Sequence, residues 1–536
     1  MWSKTVRACL AGTLISAFVT ASRAQTWIDV TSASGISPIG SGSGCAWGDY
    51  DGDGLLDLAV SSEDFWLYKN MGDGTFADRT AEAGLACLTE REPEAMVWGD
   101  YDNDGHLDLL ASTFFITDTP RLFHNDGDGT FTELNEAAGF VETLNGRAAW
   151  CDYDRDGWLD FILGSVALYH NNGDGTFAEV ATQAGLDTSA CCEIPAWGDY
   201  DNDGWPDLYV ARYNENRLYH NLGDGTFAEV GAATGTADTR HGRGTAWGDY
   251  DNDGWLDIYI SNGNVRNTLL HNNGDETFTD VTYSSGTPDY GDGRTCHFLD
   301  YDCDGWPDIF TSNHIAKNRL YHSDGDGTFT DRSMPEGILD PGDAFGVGFC
   351  DYDNDGDLDV FLATHYDGHL LQHQGLANHY LIVQLEGTIS NRAAIGARVE
   401  IRPVVSGDTI MTRVVRGGDG QYGQDSLELE FGLGAYICVE ELRVYWPSGL
   451  ETVLTDVPAD QRLLIVESGS SPGDLDGDGD VDLDDFSTFA VCMAGPDVLD
   501  PPPGCDPADF ANADLNSDGD VDLADFAVFQ TAFTGQ

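Results

Sequence analysis

The chain has 536 residues and a formal net charge of −68, from 93 acidic and 25 basic side chains. A chain of this length is expected to form more than one domain. The negative charge disfavours binding to nucleic acid and to anionic membranes, and the 11% aromatic content argues against an intrinsically disordered chain.

Residues 1–24 have the pattern of a secretory signal peptide. Two basic residues, Lys4 and Arg7, precede an apolar run over residues 8–19, and a small-residue cleavage motif ends at Ala24. The apolar run is too short to remain as a membrane-spanning helix. We therefore expect an exported protein, secreted or held at the cell surface, with no membrane span, in a compartment that permits disulfides.

Residues 25–376 repeat one motif seven times. In its fourth copy, Asp199–Asp207, the motif reads D-Y-D-N-D-G-W-P-D. Successive copies begin 47 to 52 residues apart. A fixed period of this size predicts a propeller or a solenoid. The seven copies begin at Asp49, Asp100, Asp152, Asp199, Asp249, Asp300 and Asp351.

Each copy places its oxygen-bearing groups as a calcium loop does. Asp occupies positions 1, 3, 5 and 9, Gly at position 6 permits a sharp turn, and position 7 offers its backbone carbonyl. Hard oxygen ligands favour Ca²⁺, and no Cys or His joins them regularly, so zinc is disfavoured. Four carboxylates this close repel one another without a cation. Two alternatives remain open: Asp and Gly form tight turns without metal, or bound calcium has a purely structural role.

The predicted calcium ligands of the repeats are the residues at positions 1, 3, 5, 7 and 9. They are Asp49, Asp51, Asp53, Leu55, Asp57, Asp100, Asp102, Asp104, His106, Asp108, Asp152, Asp154, Asp156, Trp158, Asp160, Asp199, Asp201, Asp203, Trp205, Asp207, Asp249, Asp251, Asp253, Trp255, Asp257, Asp300, Asp302, Asp304, Trp306, Asp308, Asp351, Asp353, Asp355, Asp357 and Asp359. Two further loops in the tail bring the expected number of Ca²⁺ sites to as many as nine.

Four short strands are predicted in each full repeat. In the fourth copy they are Ala196–Asp199, Leu208–Ala211, Arg217–His220 and Thr226–Val230, with an N-L-G-D-G hairpin turn between the last two. Four strands make one propeller blade. The seventh repeat lacks its fourth strand, and Trp27–Val30 has the sequence to replace it, which would close the ring. The fold predicted for this region is mainly β, a seven-bladed propeller.

A histidine recurs after the third strand of the repeats. Because its copies lie in different repeats, they cannot meet at one ion, and we interpret them as structural features of the repeat. No Ser-His-Asp set, H-E-x-x-H motif or nucleotide-binding loop stands out, so the chain is predicted not to be an enzyme. The recurring residues are His124, His170, His220, His271, His322 and His373.

The repeat stops near residue 377, and residues 377–468 are predicted to form a compact β domain. Gly-rich turns separate its strands. Residues 469–472, Gly-Ser-Ser-Pro, read as a linker. The predicted strands are Tyr380–Leu385, Ala397–Pro403, Thr409–Val415, Leu427–Phe431 and Glu441–Trp446.

The tail, residues 473–536, carries two complete calcium loops, each followed by a short apolar stretch that is predicted to be helical. Cys492 and Cys505 are predicted to form a disulfide, whereas the cysteines beside the repeat loops are expected to be buried free thiols. The tail is too small for a large core, so metal and disulfide are expected to hold it. Its predicted ligands are Asp474, Asp476, Asp478, Asp480, Asp482, Asp485, Asp514, Asn516, Asp518, Asp520, Asp522 and Asp525.

Two family resemblances follow from these motifs. The repeats, from Trp27 to about Leu376, resemble the FG-GAP/VCBS repeats of integrin α-chain heads, which implies an integrin-α-like propeller with calcium in its loops. Residues from about Asn378 to Glu467 resemble the ASPIC/UnbV domain through N-H-Y-L, I-G-A-R-V, F-G-L-G and W-P-S-G. A propeller followed by this domain resembles the cartilage acidic protein family, without the EGF-like module of some animal members.

The tail resembles a type I dockerin, a duplicated calcium-loop-and-helix module. Dockerins in that family bind cohesin modules and often anchor carbohydrate-active enzymes, which implies a small helical docking domain here. Ser or Thr usually stands near the ninth ligand in that family, whereas this chain has Leu483-Asp484 and Leu523-Ala524. The cohesin partner therefore stays open. Such a tail behind a signal peptide suggests an exported bacterial protein.

Two functions fit these features. The first is a secreted calcium-binding adhesion or scaffold protein, whose propeller presents a surface to a protein or glycan and whose tail docks to a cohesin-like or other partner. The second is a lectin-like or glycoside hydrolase component of an extracellular polysaccharide-degrading assembly. A deep axial pocket with converging carboxylates and aromatic rings would favour the second function, and a filled channel would favour the first.

Overall fold

The computed structural model describes most of the repeats and of the β domain that follows them. The predicted signal peptide, the predicted linker and both predicted calcium loops of the tail lie outside the described residues, except that Asp485 falls within a helix. The described residues are 27–36, 42–62, 65–86, 93–113, 120–135, 137–140, 146–164, 166–188, 194–314, 316–338, 344–375, 378–403, 409–418, 422–468, 483–493, 501–502, 505, 513, 521 and 526. None of the helices in these ranges is long and apolar enough to cross a membrane.

The repeats form four-stranded antiparallel sheets, seven of them in the described ranges, which we number 1 to 7 in chain order. In each sheet the strands lie side by side in the order first, second, third, fourth. Every second strand begins at the Asp at position 9 of its loop, and nearly all of its described residues are buried, as in Asp207–Ala211. Such continuous apolar runs form because neighbouring sheets cover both faces of the strand.

The strands of sheets 1 to 4 are Gly42–Gly48, Asp57–Ser62, Phe65–Asn70 and Phe76–Asp78; Pro93–Gly99, Asp108–Thr113, Arg121–Asn125 and Phe131–Glu133; Ala148–Cys151, Asp160–Leu163, Ala167–Asn171 and Phe177–Glu179; Ile194–Gly198, Asp207–Ala211, Arg217–Asn221 and Phe227–Glu229. Those of sheets 5 to 7 are Gly242–Gly248, Asp257–Asn262, Thr268–Asn272 and Phe278–Asp280; Asp292–Leu299, Asp308–His314, Arg319–Ser323 and Phe329–Asp331; Ala344–Cys350, Asp359–Thr364, Gly368–Gln372 and Ile28–Asp29. Single-turn helices follow some of the fourth strands: Thr31–Ser34, Gly231–Thr234, Thr282–Ser285 and Ser333–Glu336.

The first strands of the sheets contact one another in succession, and that of sheet 7 contacts that of sheet 1. Tryptophans in the first strands strengthen these contacts by donating an indole hydrogen bond to a carbonyl of the preceding sheet. Trp98 Nε1 lies 3.3 Å from the Ala46 carbonyl oxygen, and Trp247 Nε1 lies 3.1 Å from that of Ala196. The link from Trp47 to Gly348, 3.0 Å long, joins sheet 1 to sheet 7.

The N-terminal segment supplies the fourth strand of sheet 7, as predicted from the sequence. Ile28 pairs with Gln372 and Asp29 with Leu371, antiparallel. Trp27, just before the strand, is 5% exposed and donates from its indole nitrogen to the Leu358 carbonyl at 3.1 Å. The two ends of the repeat region are therefore joined by backbone pairing and by one buried ring.

Residues after the repeats form two further sheets, with neighbouring strands in the order Leu429–Gly434, His379–Glu386, Gln461–Val466 and Met411–Val414, Arg398–Pro403, Cys438–Tyr445, Glu451–Pro458. Five of these strands match the predictions within a few residues. The two strands after residue 450 were not predicted from the sequence, because Glu451–Pro458 is largely exposed and lacks a clear apolar face. A short strand, Gly423–Gln424, leaves this domain and pairs in parallel with the first strand of sheet 1.

The chain divides into two compact units, Met1–Leu385 with Asn391–Ile465, and Glu386–Ser390 with Val466–Gln536. In the second unit the buried carboxylate of Glu467 accepts hydrogen bonds from the backbone N–H groups of residues 388–390 at 2.8 to 2.9 Å. The helix Leu483–Cys492 lies in this unit, and the predicted disulfide between Cys492 and Cys505 is present. Cys45, Cys151, Cys296 and Cys350, beside the repeat loops, are buried free thiols, as predicted.

Removing the Trp27 ring should weaken the closure of sheet 7. We expect Trp27→Ala to lower the free energy of unfolding by about 3–5 kcal/mol, because a buried ring and its hydrogen bond are lost. Ile28→Ala is the matched control: its side chain is 48% exposed, so the change should stay within about 0.5 kcal/mol. Urea unfolding measures both, and equal effects of the two variants would contradict this role of Trp27.

Candidate metal loops

The nine-residue loops connect the first strand of each sheet to the second, and the loop of sheet 4 shows their geometry. The Asp199 carboxylate accepts the backbone N–H groups of Asp203 at 3.2 Å and of Gly204 at 2.9 Å. The Asp203 carboxylate accepts the N–H of Trp205 at 2.9 Å. Asp207, at position 9, is fully buried and accepts the N–H of Asn221 at 2.8 Å. The backbone of the loop therefore wraps around its carboxylates and donates N–H groups to them.

The other loops repeat this geometry. Position 1 accepts two N–H groups from positions 5 and 6 in every loop, for example Asp249 at 3.0 Å from both Asp253 and Gly254. Position 4 is left-handed throughout, with φ of 57° at Asn202. Position 6 is always Gly, and φ of 87° at Gly204 shows why another residue would be strained there. The loops are therefore copies in three dimensions as well as in sequence.

One carboxylate oxygen is left without a partner in the described part of the protein in six of the seven loops, whereas in the loop of sheet 4 the Asp203 N–H donates to Asp201 Oδ1 at 3.3 Å. The position-3 Oδ1 atom is buried and has no hydrogen-bond partner among the described residues in six of the loops. A buried acceptor without a partner costs about 1–3 kcal/mol, and more for a charged group. Because this unpartnered oxygen recurs at one position, it is a feature of the repeat and not a local defect. The residues are Asp51, Asp102, Asp154, Asp251, Asp302 and Asp353.

The electrostatics of the loops also favour a cation. Burial, followed by neighbouring carboxylates, raises the pKa of several loop aspartates far above the usual value, which means that their ionised form is unstable in the protein alone. The pKa rises to about 8 at Asp57, Asp152 and Asp308, and to about 7 at Asp108, Asp160, Asp207 and Asp257. A bound divalent ion would stabilise the ionised carboxylates.

Position 7 keeps its side chain outside the loop, as a backbone ligand requires. The Trp205 ring covers the neighbouring hairpin so closely that a Cβ on Gly223 would lie 2.9 Å from it. The same contact links Trp158 with Gly173 and Trp255 with Gly274. These hairpins are turns, as predicted: Asp224, for example, accepts the Thr226 N–H at 3.1 Å.

The recurring histidines lie closer to the loops than the sequence indicated. His220 Nδ1 is 3.2 Å from Asp207 Oδ1 and 3.4 Å from Asp201 Oδ2, so the ring bridges positions 9 and 3 of its own loop. The hydrogen bond to Asp207 raises the pKa of His220 to about 9. Equivalent contacts occur at His124, His170, His271 and His322. The sequence feature that could have indicated this contact is the constant position of these histidines, directly before each hairpin.

Two loops replace this histidine, and the assignment of His373 to the series is wrong. Strand pairing places Gln372 at the equivalent position in sheet 7, where its amide donates to Asp353. His373 stands one residue later, at the place of Asn221, and its backbone N–H donates to Asp359 at 2.7 Å. In sheet 1 the position is Lys69, whose ammonium contacts Asp51 and lies 2.8 Å from Asp53.

The grouped side chains could hold an ion. In sheet 5, for example, ligand atoms of Asp251, Asp253 and His271 lie within 4.8 Å of one another. With four carboxylates and a position-7 carbonyl at each loop, the donor set is dominated by hard oxygen, which fits Ca²⁺. The residues present therefore fit the predicted metal, and the loops offer it the unpartnered position-3 oxygen.

The β domain rests directly on the loops. The Arg392 backbone N–H donates to Asn103 Oδ1 at 2.8 Å, and the Gly434 N–H donates to the Cys303 carbonyl at 2.8 Å. The Arg398 guanidinium donates to Asn202. Asn103, Asn202 and Cys303 all occupy position 4, so the left-handed residue of the loop forms part of the contact with the β domain.

A segment of the β domain contacts the first strands of several repeat sheets. The Gln424 side chain exchanges hydrogen bonds with the backbone of Trp98, at 2.6 and 3.0 Å. The Gly417 carbonyl accepts the Trp150 N–H at 2.9 Å, and Asp425 accepts the Phe349 N–H at 2.8 Å. Asp425 also lies 3.0 Å from His297 Nδ1. Residues 416–418 and 422–426 therefore bind the first strands of several sheets, which we also call the inner strands.

A cavity of about 340 Å³ lies between sheets 3 and 4 and the β domain. Trp150, Trp197 and Trp446 form part of its wall. Its aspartates, Asp152, Asp199 and Asp203, are positions 1 and 5 of the neighbouring loops, so the cavity offers carboxylates that the loops already use. The other acid among its lining residues is Glu451 of the β domain, so the cavity holds no pair of acids that is independent of the loops.

Known families match two parts of the chain. The FG-GAP-like repeat matches residues 49–111, 152–210, 199–260, 249–311 and 300–362, which contain all seven loops and about half of the chain. The chain belongs to the FG-GAP-like repeat family. Residues 387–472 match ASPIC and UnbV. FG-GAP-like repeats with this second domain are typical of adhesion-type or extracellular proteins.

Parts of the chain are similar to known proteins in sequence or in structure. Human cartilage acidic protein 1 is 36% identical over 19% of this chain and 16% of its own length. Its Xenopus tropicalis counterpart is 29% identical over 35% of this chain and 39% of its own length, so the chain matches well under half of these relatives. An Agrocybe aegerita lectin that recognises non-reducing terminal N-acetylglucosamine is 18% identical, with a TM-score of 0.38 over 62% of this chain and 87% of its own. A likeness of that size supports no conclusion about ligand.

The raised pKa values predict opposite pH responses with and without metal. In metal-stripped protein the folded state holds protons on loop aspartates up to about pH 8, whereas unfolded Asp releases them near about 3.9. Stability should therefore be greatest in acid and fall as pH rises from about 4 to about 8. Excess calcium should reverse the trend, because its ligands must be deprotonated. Urea midpoints at several pH values test this, and the same trend in both series would contradict it.

Proposed function

We propose that the protein is a secreted, calcium-binding adhesion or scaffold protein. Its seven sheets are the blades of one β-propeller, which presents a surface for a protein or glycan, and its tail is a dockerin-like module that docks or anchors it. The proposal includes export by the N-terminal signal peptide and no enzymatic activity. The observation that carries it is the repeated loop with a buried, unpartnered position-3 oxygen.

The propeller assignment is supported by three contacts. Successive first strands touch around the series of sheets, sheet 7 contacts sheet 1, and the N-terminal strand completes sheet 7. These are the features by which a propeller leaves only short, protected sheet edges. In this arrangement all seven loops lie at the same end of their sheets, because each follows the first strand.

Calcium in the loops would stabilise both the ring and its contact with the β domain. An ion that binds only the folded state stabilises it by about 2.7 kcal/mol when its concentration is 100 times its Kd. Asp300, at position 1, accepts the Gly432 N–H at 3.1 Å, and Asp351 lies 3.3 Å from the Arg462 guanidinium. Ordering these aspartates therefore also orders the residues that hold the β domain.

The scaffold function is favoured over the carbohydrate-active alternative by the contacts of residues 416–426. Their described members bind the inner strands of sheets 1, 2, 3 and 7, where an axial active site would need open space. The cavity beside sheets 3 and 4 shares its aspartates with the loops. A lectin-like role remains the second candidate, because the aromatic rings of Trp150, Trp197 and Trp446 form part of the wall of that cavity.

A pair of variants in sheet 5 tests the metal assignment. Asp251→Asn removes the position-3 carboxylate, so the purified protein should hold one calcium fewer and, near saturating calcium, lose up to about 3 kcal/mol of stability. Metal analysis and thermal unfolding, with and without chelator, measure the two effects.

The matched control is Asp275→Asn in the adjacent hairpin. Asp275 is exposed and accepts a hydrogen bond from Thr277, so its loss should leave the calcium content unchanged. If the wild type contains no calcium and a chelator does not lower its melting temperature, the loops are turns and the proposed function loses its basis. Equal calcium loss in both variants would show that the ligand assignment is wrong.

A further inference from the structure

Three arginines gather at the end of the ring opposite the metal loops. Arg147 directly precedes the first strand of sheet 3, and Arg243 and Arg294 lie near the beginning of the first strands of sheets 5 and 6. The loops follow the other ends of these strands, about 20 Å away for a strand of six or seven residues. In a chain with 25 basic and 93 acidic residues, such a grouping of cations needs a physical reason.

Aromatic rings connect these arginines into one surface. The Arg147 guanidinium lies 4.7 Å from the centre of the Tyr422 ring, and that of Arg294 lies 4.9 Å from the Phe345 ring. The Tyr422 and Phe345 rings are 6.3 Å apart. Tyr422 belongs to the segment that binds the inner strands, so the surface lies over the middle of the ring.

The second half of the surface joins Arg294 to an exposed tyrosine. Asp292 Oδ1 lies 3.2 Å from Arg243, and its Oδ2 lies 3.6 Å from Arg294, so one carboxylate is shared by two guanidinium groups. His241 follows, with its ring 4.2 Å from that of Tyr213. Burial, and then the positive charge of Arg243, lower the pKa of His241, which agrees with a local excess of positive charge.

We propose that this arginine surface, formed by Arg147, Arg243, Arg294, Phe345 and Tyr213 over the buried Tyr422 ring, binds a carboxylate- or sulfate-bearing sugar residue of an acidic polysaccharide. The proposal rests on the proposed function, since it names the class of ligand that would bind to a surface of the propeller. Guanidinium groups bind planar and tetrahedral oxyanions through paired hydrogen bonds. Tyr213, 70% exposed, leaves a ring face open beside them.

A charged sugar fits this surface better than an acidic peptide does. Each sugar residue carries an apolar C–H face and its charged group on the same ring, so it can lie on Tyr213 while its oxyanion meets Arg243. An aspartate or glutamate side chain has no comparable face. The net negative charge of the protein repels any polyanion at long range, but this repulsion falls off beyond about 8 Å at physiological salt. A short oligosaccharide therefore reports the local contact most directly.

The test is calorimetric titration of the full protein, equilibrated in calcium-containing buffer and analysed for bound calcium, with a linear tetramer of galacturonic acid. A neutral galactose tetramer, inorganic sulfate and a tetra-aspartate peptide are titrated in parallel. We expect the uronic acid tetramer to bind more tightly than all three. Arg243→Gln should weaken its binding by about tenfold or more, because a charge-assisted hydrogen bond is lost.

Two further variants keep the result interpretable. Tyr213→Ala should keep the fold, because the ring is 70% exposed, and should weaken binding of the uronic acid tetramer without changing any response to sulfate. Arg79→Gln removes an arginine that pairs with Glu82 on the rim of sheet 1, and should leave binding unchanged. The proposal would be overturned if the uronic acid tetramer did not bind, or if it bound no more tightly than the neutral tetramer or tetra-aspartate. Binding that did not change in the Arg243 and Tyr213 variants would also overturn it.

Calcium content distinguishes this proposal from the proposed function. Protein that binds the uronic acid tetramer through Arg243 but contains no calcium would refute the calcium loops and leave the arginine surface standing. Protein that loses stability in chelator but does not bind the tetramer would refute the arginine surface alone.

Discussion

The rest of the structure depends on how the protein holds carboxylates together inside its loops. In each loop several aspartates converge, and the fully buried one at position 9 begins the second strand of its sheet. Backbone N–H groups satisfy position 1 and a histidine bridges positions 3 and 9 in five sheets, yet burial still raises the pKa of these acids. The buried second strands of the sheets therefore begin at electrostatically unfavourable points, and a cation is the simplest compensation.

This constraint extends to the β domain. Position 4 of the loop lies next to that domain in several sheets, so that left-handed residues such as Asn103 and Asn202 become its hydrogen-bond partners. The same domain sends Gln424 and Asp425 to the first strands. Polar contacts therefore join the repeat sheets to the β domain. The two lie in one compact unit, Met1–Leu385 with Asn391–Ile465. Loss of order in the loops would reach both.

Repetition made most of the fold predictable. Seven equal motifs fixed the strand order of every sheet, and the missing fourth strand near residue 376 identified the partner of Ile28–Asp29. Repetition could not predict contacts that occur once. The contacts of Tyr422 and Gln424 with the first strands, and the exposed strand Glu451–Pro458, depend on tertiary packing. The position of His373 depends on a one-residue register that the local sequence does not display.

The most direct test of the central claim is a crystal structure of the protein grown in calcium, with anomalous scattering data. The account predicts a calcium peak in the repeat loops, with the position-3 oxygens, such as Asp251 Oδ1 and Asp302 Oδ1, about 2.3–2.6 Å from the ion. Water or no density at these positions, with the same oxygens still unpartnered at saturating calcium, would contradict it.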